Sequence, residues 1–83
     1  MLTSEYLTTF EFCRLIGLRV SQIVDMDLET EEGRTPEEQA VREIMEGKNP
    51  CVIRRYLIDG SHEDRPVSSL KLSSRIRRRA SLL

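Results

Sequence analysis

The chain of 83 residues has little cysteine and histidine, the side chains from which zinc sites and disulfides are built. Cys13 and Cys51 do not form a CxxC pair, and one histidine (His62) cannot complete a Cys/His ligand set for zinc. We therefore expect no metal and no cofactor, and we interpret both cysteines as small buried apolar residues. No run approaches the roughly 18 apolar residues of a membrane span, and a signal-peptide core is absent, so we expect a soluble intracellular protein without membrane contacts.

Patterns of catalytic chemistry are also missing from the sequence. The four glycines are isolated from one another, which excludes a Gly-rich phosphate loop. Ser61, His62 and Asp64 lie side by side in a predicted turn, but a catalytic triad needs a base held against the nucleophile by a rigid scaffold. We therefore predict no catalytic residue and a protein that is not an enzyme.

Length and charge together favour a protein that works with a partner. A chain of this size buries only roughly 60% of its unfolded surface, so its stability on its own should be marginal. Without disulfides or a metal, a partner is the remaining way to compensate. Residues 1–50 carry eleven acidic against five basic residues, while residues 51–83 carry three against eight. The C-terminal part should therefore face something anionic.

Two helices are predicted in the first half of the chain. Thr8 and Glu11 have capping-box spacing, which predicts a helix from there to about Val24 or Met26. Its apolar stripe should contain Phe12, Cys13, Ile16, Val20, Ile23 and Val24. Thr35 and Pro36 open a second helix that Gly47 ends. The buried stripe of the second helix should consist of Ala40, Val41, Ile44 and Met45.

The second half predicts a strand or hairpin. Residues 51–57 are rich in β-branched and aromatic side chains, and Asp59-Gly60 is a strong turn signal. A weaker extended stretch should follow at about residues 67–72. The predicted fold class is α+β, with two helices followed by a strand or hairpin and a core that a partner completes.

Two stretches of sequence resemble a known family. LTTFE (residues 7–11) with RLIGLR (14–19) and QI (22–23) resembles the first helix of the sixth-subunit family of eukaryotic RNA polymerases, which is related to bacterial omega. PCVIRRYL (50–57) and the following DGS (59–61) through ED (63–64) resemble its second signature. The resemblance implies an omega-like domain over residues 1–72 and, outside it, a basic tail over residues 73–83. One expected departure from the family is that the long acidic N-terminal arm of eukaryotic members is absent.

The resemblance implies a non-catalytic subunit of DNA-directed RNA polymerase that clamps the largest subunit during assembly and transcription. Its partners would be the largest subunit and neighbouring polymerase subunits, with nucleic acid contacted only through the complex. The nucleus is the implied location, or the nucleolus for a divergent paralogue dedicated to polymerase I. The implied partner interface consists of Arg14, Leu15, Leu18, Arg19, Gln22, Arg54, Arg55 and Tyr56.

Arginines at unexpected positions support a partner. Arg19 projects from the apolar stripe, and one arginine lies on each face of the strand, so we expect a partner to supply carboxylates or carbonyls. The basic tail is a further possible contact with an anion or a partner, through Arg75, Arg77, Arg78 and Arg79. The alternative function is a free-standing nucleic-acid-binding adaptor that acts through this tail.

Overall fold

The computed structural model describes residues 3–31 and 33–81. The helices are α1 (Thr9–Asp25), α2 (Pro36–Met45) and α3 (Ser74–Ser81), and the strands are β1 (Val52–Tyr56) and β2 (His62–Pro66). A short 3-10 helix, Val67–Ser69, follows β2 directly. The predicted α+β class is therefore confirmed.

The capping box at the start of α1 forms as predicted. The Thr8 hydroxyl accepts a hydrogen bond from the Glu11 backbone N–H at 3.1 Å, and the Glu11 carboxylate accepts one from the Thr8 backbone N–H at 2.9 Å. Two N–H groups that lack partners within the helix are thereby satisfied. The buried side chains of α1 are Phe12, Leu15 and Ile23.

Two residues of the predicted apolar stripe of α1 are exposed. Cys13 is at the surface, and 60% of Val24 is accessible to solvent. The expectation that Cys13 is buried is wrong, because α2 meets α1 on the side of Arg19, whose guanidinium binds Glu43, and the buried face is rotated toward Leu15. Cys51 is half-buried and packs against the core.

Helix α2 begins and ends where the sequence predicts. The Thr35 hydroxyl accepts a hydrogen bond from the Glu38 backbone N–H at 3.2 Å, and Pro36 is the first helical residue. Gly47 ends the helix in the left-handed region, with φ of 70°, which glycine adopts without strain. The buried side chains of α2 are Gln39, Ala40, Val41 and Ile44.

Strands β1 and β2 form an antiparallel hairpin in which Arg54 pairs with Asp64. The prediction that one arginine lies on each face of the strand is confirmed, because Arg55 is half-buried together with Ile53, while Arg54 is exposed together with Val52 and Tyr56. The chain reverses at residues 58–60, with Gly60 at φ of 89°.

The predicted position of the second extended stretch is wrong. We expected it at about residues 67–72, but the returning strand is His62–Pro66. The tight turn after β1 fixes this register, since it leaves no room for a longer loop. Residues 62–66 have low intrinsic strand preference, and cross-strand partners such as Asp64 opposite Arg54 compensate for it.

One hydrophobic core connects all three helices to the segment after the hairpin. Its buried members are Leu7, Phe12, Leu15, Ile44, Val67, Leu70 and Ile76. Ile76 comes from the segment that we expected to be a tail, yet its side chain is completely buried. Residues 74–81 are therefore packed on the domain and are not separate from it.

The N-terminal segment is held against the residues that precede α3. The Leu7 backbone N–H donates to the carbonyl of Lys71 at 3.0 Å, and the Lys71 N–H donates to the carbonyl of Glu5 at 2.8 Å. Leu7 is thereby fixed in the core with 2% of its surface exposed. Among the described helices, none is long and apolar enough to cross a membrane.

Candidate partner interface

A groove runs between helix α1 and strand β1. We call it the α1–β1 groove and define it by the exposed residues Phe10, Arg14 and Leu18 of α1 and Val52, Arg54 and Tyr56 of β1. The three helix residues are spaced four apart and therefore share one face. The three strand residues alternate along β1 and share its outward face. The groove has a volume of about 690 Å³.

Four of the six residues that define the groove are exposed and apolar or aromatic. Phe10 and Tyr56 are each 72% exposed, Val52 is 58% exposed and Leu18 is 50% exposed. Leu15 and Ile53 line the groove beneath them and belong to the core or pack against it. Exposed apolar residues gathered in one place mark a binding surface more often than residues scattered singly.

The guanidinium of Arg55 fixes the groove from below. It donates to both carboxylate oxygens of Glu11, at 2.8 and 3.0 Å, and to the carbonyls of Ser4 and Tyr6, at 2.6 and 3.0 Å. One side chain thus joins β1, the first turn of α1 and the N-terminal segment. Because these contacts are paired and largely shielded from water, they hold the helix and the strand in a fixed relation.

The electrostatics of this pair favour the charged form of both partners. Burial alone raises the pKa of Glu11, but the hydrogen bonds from Arg55 and from the Thr8 backbone outweigh that effect and bring its pKa below the ordinary glutamate value. The hydrogen bond to Glu11 raises the pKa of Arg55. The pair therefore remains ionised at neutral pH.

Arg19 has an internal partner that the sequence analysis missed. Its guanidinium donates to both carboxylate oxygens of Glu43 on α2, at 2.7 and 3.0 Å, and to Gln22 at 3.1 Å. The hydrogen bond to Glu43 raises the pKa of Arg19. The expectation that a partner must supply the carboxylate for Arg19 is therefore wrong, since α2 supplies it.

Arg54 is also paired, but at the surface. It donates to both oxygens of Asp64 across the hairpin, at 2.9 and 3.2 Å, and about half of each side chain is exposed. The hydrogen bond from Arg54 lowers the pKa of Asp64. By contrast, none of the described carboxylates pairs with Arg14, the cation at the centre of the helical wall.

The structure brings five of the eight predicted interface residues together around the groove: Arg14, Leu15, Leu18, Arg54 and Tyr56. Arg19 and Gln22 lie elsewhere, beside Glu43, and Arg55 points to the inner face of the hairpin. Sequence reasoning missed Phe10 and Val52. Their spacing with Arg14 and Arg54 could have found them, because Phe10 is four residues before Arg14 and Val52 is two before Arg54.

Helix α3 carries the basic cluster on its solvent side. Arg75, Arg77, Arg78 and Arg79 are all exposed, while Ile76 anchors the helix in the core. None of the described carboxylates forms an ion pair with these four arginines. Within residues 3–31 and 33–81, no group of three or more His, Cys, Asp or Glu side chains is placed to hold a metal ion.

Comparison with known proteins gives relatives from several eukaryotes. The subunit RPABC2 of DNA-directed RNA polymerases I, II and III from Saccharomyces cerevisiae is 45% identical over 75 residues, which cover 82% of this chain and 46% of the relative. Its counterpart from Schizosaccharomyces pombe is 39% identical over 75 residues, covering 82% and 50%. Subunit 6B of polymerases II and V from Arabidopsis thaliana is 38% identical over 71 residues, covering 82% and 49%.

No family model matches the chain. The chain spans about half the length of the relatives that it matches. The matched part nevertheless covers more than four fifths of this chain, at identities of 36–45%. Over most of its own length, the chain is a homologue of the omega-like subunit 6 family of DNA-directed RNA polymerases.

Proposed function

We propose that this chain is a non-catalytic subunit of a DNA-directed RNA polymerase that clamps and stabilises the largest subunit. Relatives that share 36–45% of their aligned residues with it are named polymerase subunits. The observation that carries the proposal is the α1–β1 groove, in which the two family-like stretches meet although more than thirty residues separate Leu18 from Val52. The proposed location is the nucleus, where such a complex would act.

The groove suits protein contact because it combines exposed apolar side chains with Arg14, a cation that pairs with none of the described carboxylates. Phe10, Leu18 and Tyr56 supply the apolar area, and burying residues of this kind is the main driving force of protein association. Arg14 would meet a carboxylate or a carbonyl of the largest subunit. Arg19 and Arg55 would contribute indirectly, by fixing the walls of the groove.

The first test is recovery of polymerase subunits with the tagged chain. We expect the wild-type chain to co-purify with the largest subunit and Leu18→Asp to lose it, because the aspartate would bring a charge into an apolar contact and would compete with the partner's acidic group for Arg14, one helical turn away. Val24→Asp is the matched control, since Val24 is similarly exposed on the same helix but lies outside the groove. Equal recovery with Leu18→Asp and the wild type would contradict the assigned surface.

A second proposal concerns which polymerase contains the chain. The named relatives belong to polymerases I, II and III together or to II and V. We propose that this chain is a divergent paralogue confined to one polymerase, which would place it in the nucleolus if that enzyme is polymerase I. Separate purification of polymerases I, II and III, followed by mass spectrometry, tests the idea. Equal stoichiometry in all three would contradict it.

An alternative function is that of a nucleic-acid-binding adaptor, and the exposed arginines of α3 favour it. Guanidinium groups bind the phosphates of nucleic acids and release the counterions around them, so the affinity falls steeply as the salt concentration rises. The test replaces Arg75, Arg78 and Arg79 by glutamine, which removes charge while Ile76 still anchors the helix. Loss of salt-dependent binding to duplex DNA in this variant supports the adaptor, and absence of such binding in the wild type contradicts it.

A further inference from the structure

Within residues 3–31 and 33–81, strand β1 has a partner strand on one edge and none on its outer edge. The Leu57 N–H donates to the carbonyl of Ser61 at 2.8 Å, and the Val67 N–H donates to the carbonyl of Cys51 at 3.0 Å. Backbone groups in an antiparallel pair alternate in direction, so the odd-numbered residues of β1 point toward β2. The backbone N–H and C=O groups of Val52, Arg54 and Tyr56 therefore point away from it. No other described strand pairs with β1.

This free edge borders the α1–β1 groove. The residues that line the groove come from α1 or its N-cap Thr8 and from β1 or the residue before it, and none comes from β2. The groove therefore lies beyond the edge of β1 that β2 leaves open. Unpaired backbone groups beside exposed apolar side chains form a template for a further strand.

Resting on the proposed function, we propose that the polymerase partner inserts an extended segment into this groove and pairs with β1 as a third strand. Peptides that add to a sheet edge gain affinity from main-chain hydrogen bonds and specificity from alternate side chains. The five residues of β1 would pair with a segment of similar length, about 17 Å when extended. Val52, Arg54 and Tyr56 would provide the backbone partners.

The side chains around the groove define the chemistry of the segment. Alternate residues of an added strand point to the same face, so every second residue would approach Phe10 and Leu18 and should be apolar. Arg14 lies between these two residues on the same face of α1 and lacks a described carboxylate partner. The segment should therefore carry an acidic residue at the position that faces Arg14.

A second copy of this chain is a poor occupant of the same edge. Two copies that paired antiparallel through β1, with the symmetry axis at its centre, would place the two Arg54 side chains opposite each other. Like charges directly across a strand pair are destabilising. Registers shifted to avoid this contact would pair fewer residues of a strand that is only five residues long.

The test compares Arg54→Pro with Arg54→Ala in the tagged full-length chain. Both variants lose the ion pair with Asp64, but only proline removes the outward N–H, and it leaves the hydrogen bonds to β2 intact. We expect Arg54→Pro to recover about tenfold less polymerase than Arg54→Ala, because a buried carbonyl of the partner loses its donor. Equal recovery with both variants, when the wild type recovers the largest subunit, would overturn strand addition and leave the proposed function standing.

Amide hydrogen exchange on the wild-type chain is an independent measurement, should Arg54→Pro not fold. We expect the amides of Val52, Arg54 and Tyr56 to exchange at least about tenfold more slowly in the purified polymerase than in the free chain. Unchanged exchange on assembly would overturn the inference. If these amides are already protected in the free chain, and the free chain has the mass of a dimer, the inference is overturned too, because two copies then pair through β1. A wild-type chain without polymerase subunits would contradict the proposed function as well.

Discussion

The two sides of helix α1 meet the rest of the molecule in opposite ways. On the side that faces α2, Arg19 is held by both oxygens of Glu43, and only 16% and 13% of these side chains are exposed. On the outer wall of the α1–β1 groove, Leu18 is half exposed, and Arg14 has no described carboxylate partner. The first side is a closed contact, and the second is open.

This contrast shows that an arginine within the apolar stripe of a helix does not by itself indicate a partner chain. Arg19 looked in the sequence like a sign of a missing partner, but α2 completes its hydrogen bonds. Exposed apolar area is the better sign, because the fold offers nothing else to cover Phe10 and Tyr56 within the described residues. Substitutions at buried contacts within the fold should therefore change stability, and substitutions on the open wall of the groove should change assembly.

The largest effect on stability is expected from Leu15→Ala. Leu15 belongs to the core and is 5% exposed, so truncation removes packed atoms and leaves a cavity. We expect the free energy of unfolding to fall by about 3 kcal/mol, within the usual range for buried leucines. Urea unfolding of the purified chain, followed by circular dichroism, measures it. A loss below about 1 kcal/mol would contradict the placement of Leu15 in the packed core.

A smaller loss is expected from Arg55→Met, which keeps the apolar stem and removes the guanidinium. Glu11 would remain largely shielded from water without its partner, a situation that is strongly destabilising for a buried pair. Since 12% of Arg55 and 17% of Glu11 are exposed, we expect a loss of about 2 kcal/mol, less than for full burial. Arg54→Met is the control, because its pair is at the surface and should change stability little. Equal losses of stability in both variants would contradict the claim that the shielded Arg55 pair stabilises the fold more than the surface Arg54 pair.

The sequence predicted the elements with strong local signals and missed the contacts between them. Thr8 with Glu11, and Thr35 with Glu38, form capping hydrogen bonds between residues three positions apart, so both helix starts were predictable. The partnership of Arg55 with Glu11 joins residues 44 positions apart, and no local pattern encodes it. The same holds for Ile76, whose burial depends on where α3 packs and not on its basic neighbours.

The residues of the groove were predictable only in part, because contacts between residues far apart in the chain decide which of them meet. Family resemblance marked Arg14, Leu18, Arg54 and Tyr56, and the structure places all four around one groove. It also marked Arg19, which lies at the contact with α2. Which residues of a matched stretch share a surface depends on the packing of α1 against α2 and β1, and that is tertiary information.

Acid should weaken the contact between α1 and β1 through Glu11. Its pKa is lowered in the folded chain, so its contribution to stability is present above the unfolded value of about 4.3 and is lost as the pH falls through the folded value. We expect Glu11→Gln, which retains a capping acceptor, to be less stable than the wild type at neutral pH and to approach it in acid. Urea midpoints from pH 7 down to pH 3 measure this. A difference that does not change with pH would contradict the assignment.

The smallest effect on stability is expected from Leu18→Ala, the open-side counterpart of Leu15→Ala. The same residue type is removed from the same helix three positions later, but Leu18 is 50% exposed where Leu15 is 5% exposed. Alanine is the better helix former, so the change in the free energy of unfolding should stay within about 0.5 kcal/mol. Recovery of the polymerase should fall nonetheless, since the lost area belongs to the proposed contact. If Leu18→Ala instead destabilises the free chain as much as Leu15→Ala, Leu18 is part of the chain's own core, and the open side of α1 is not an interface.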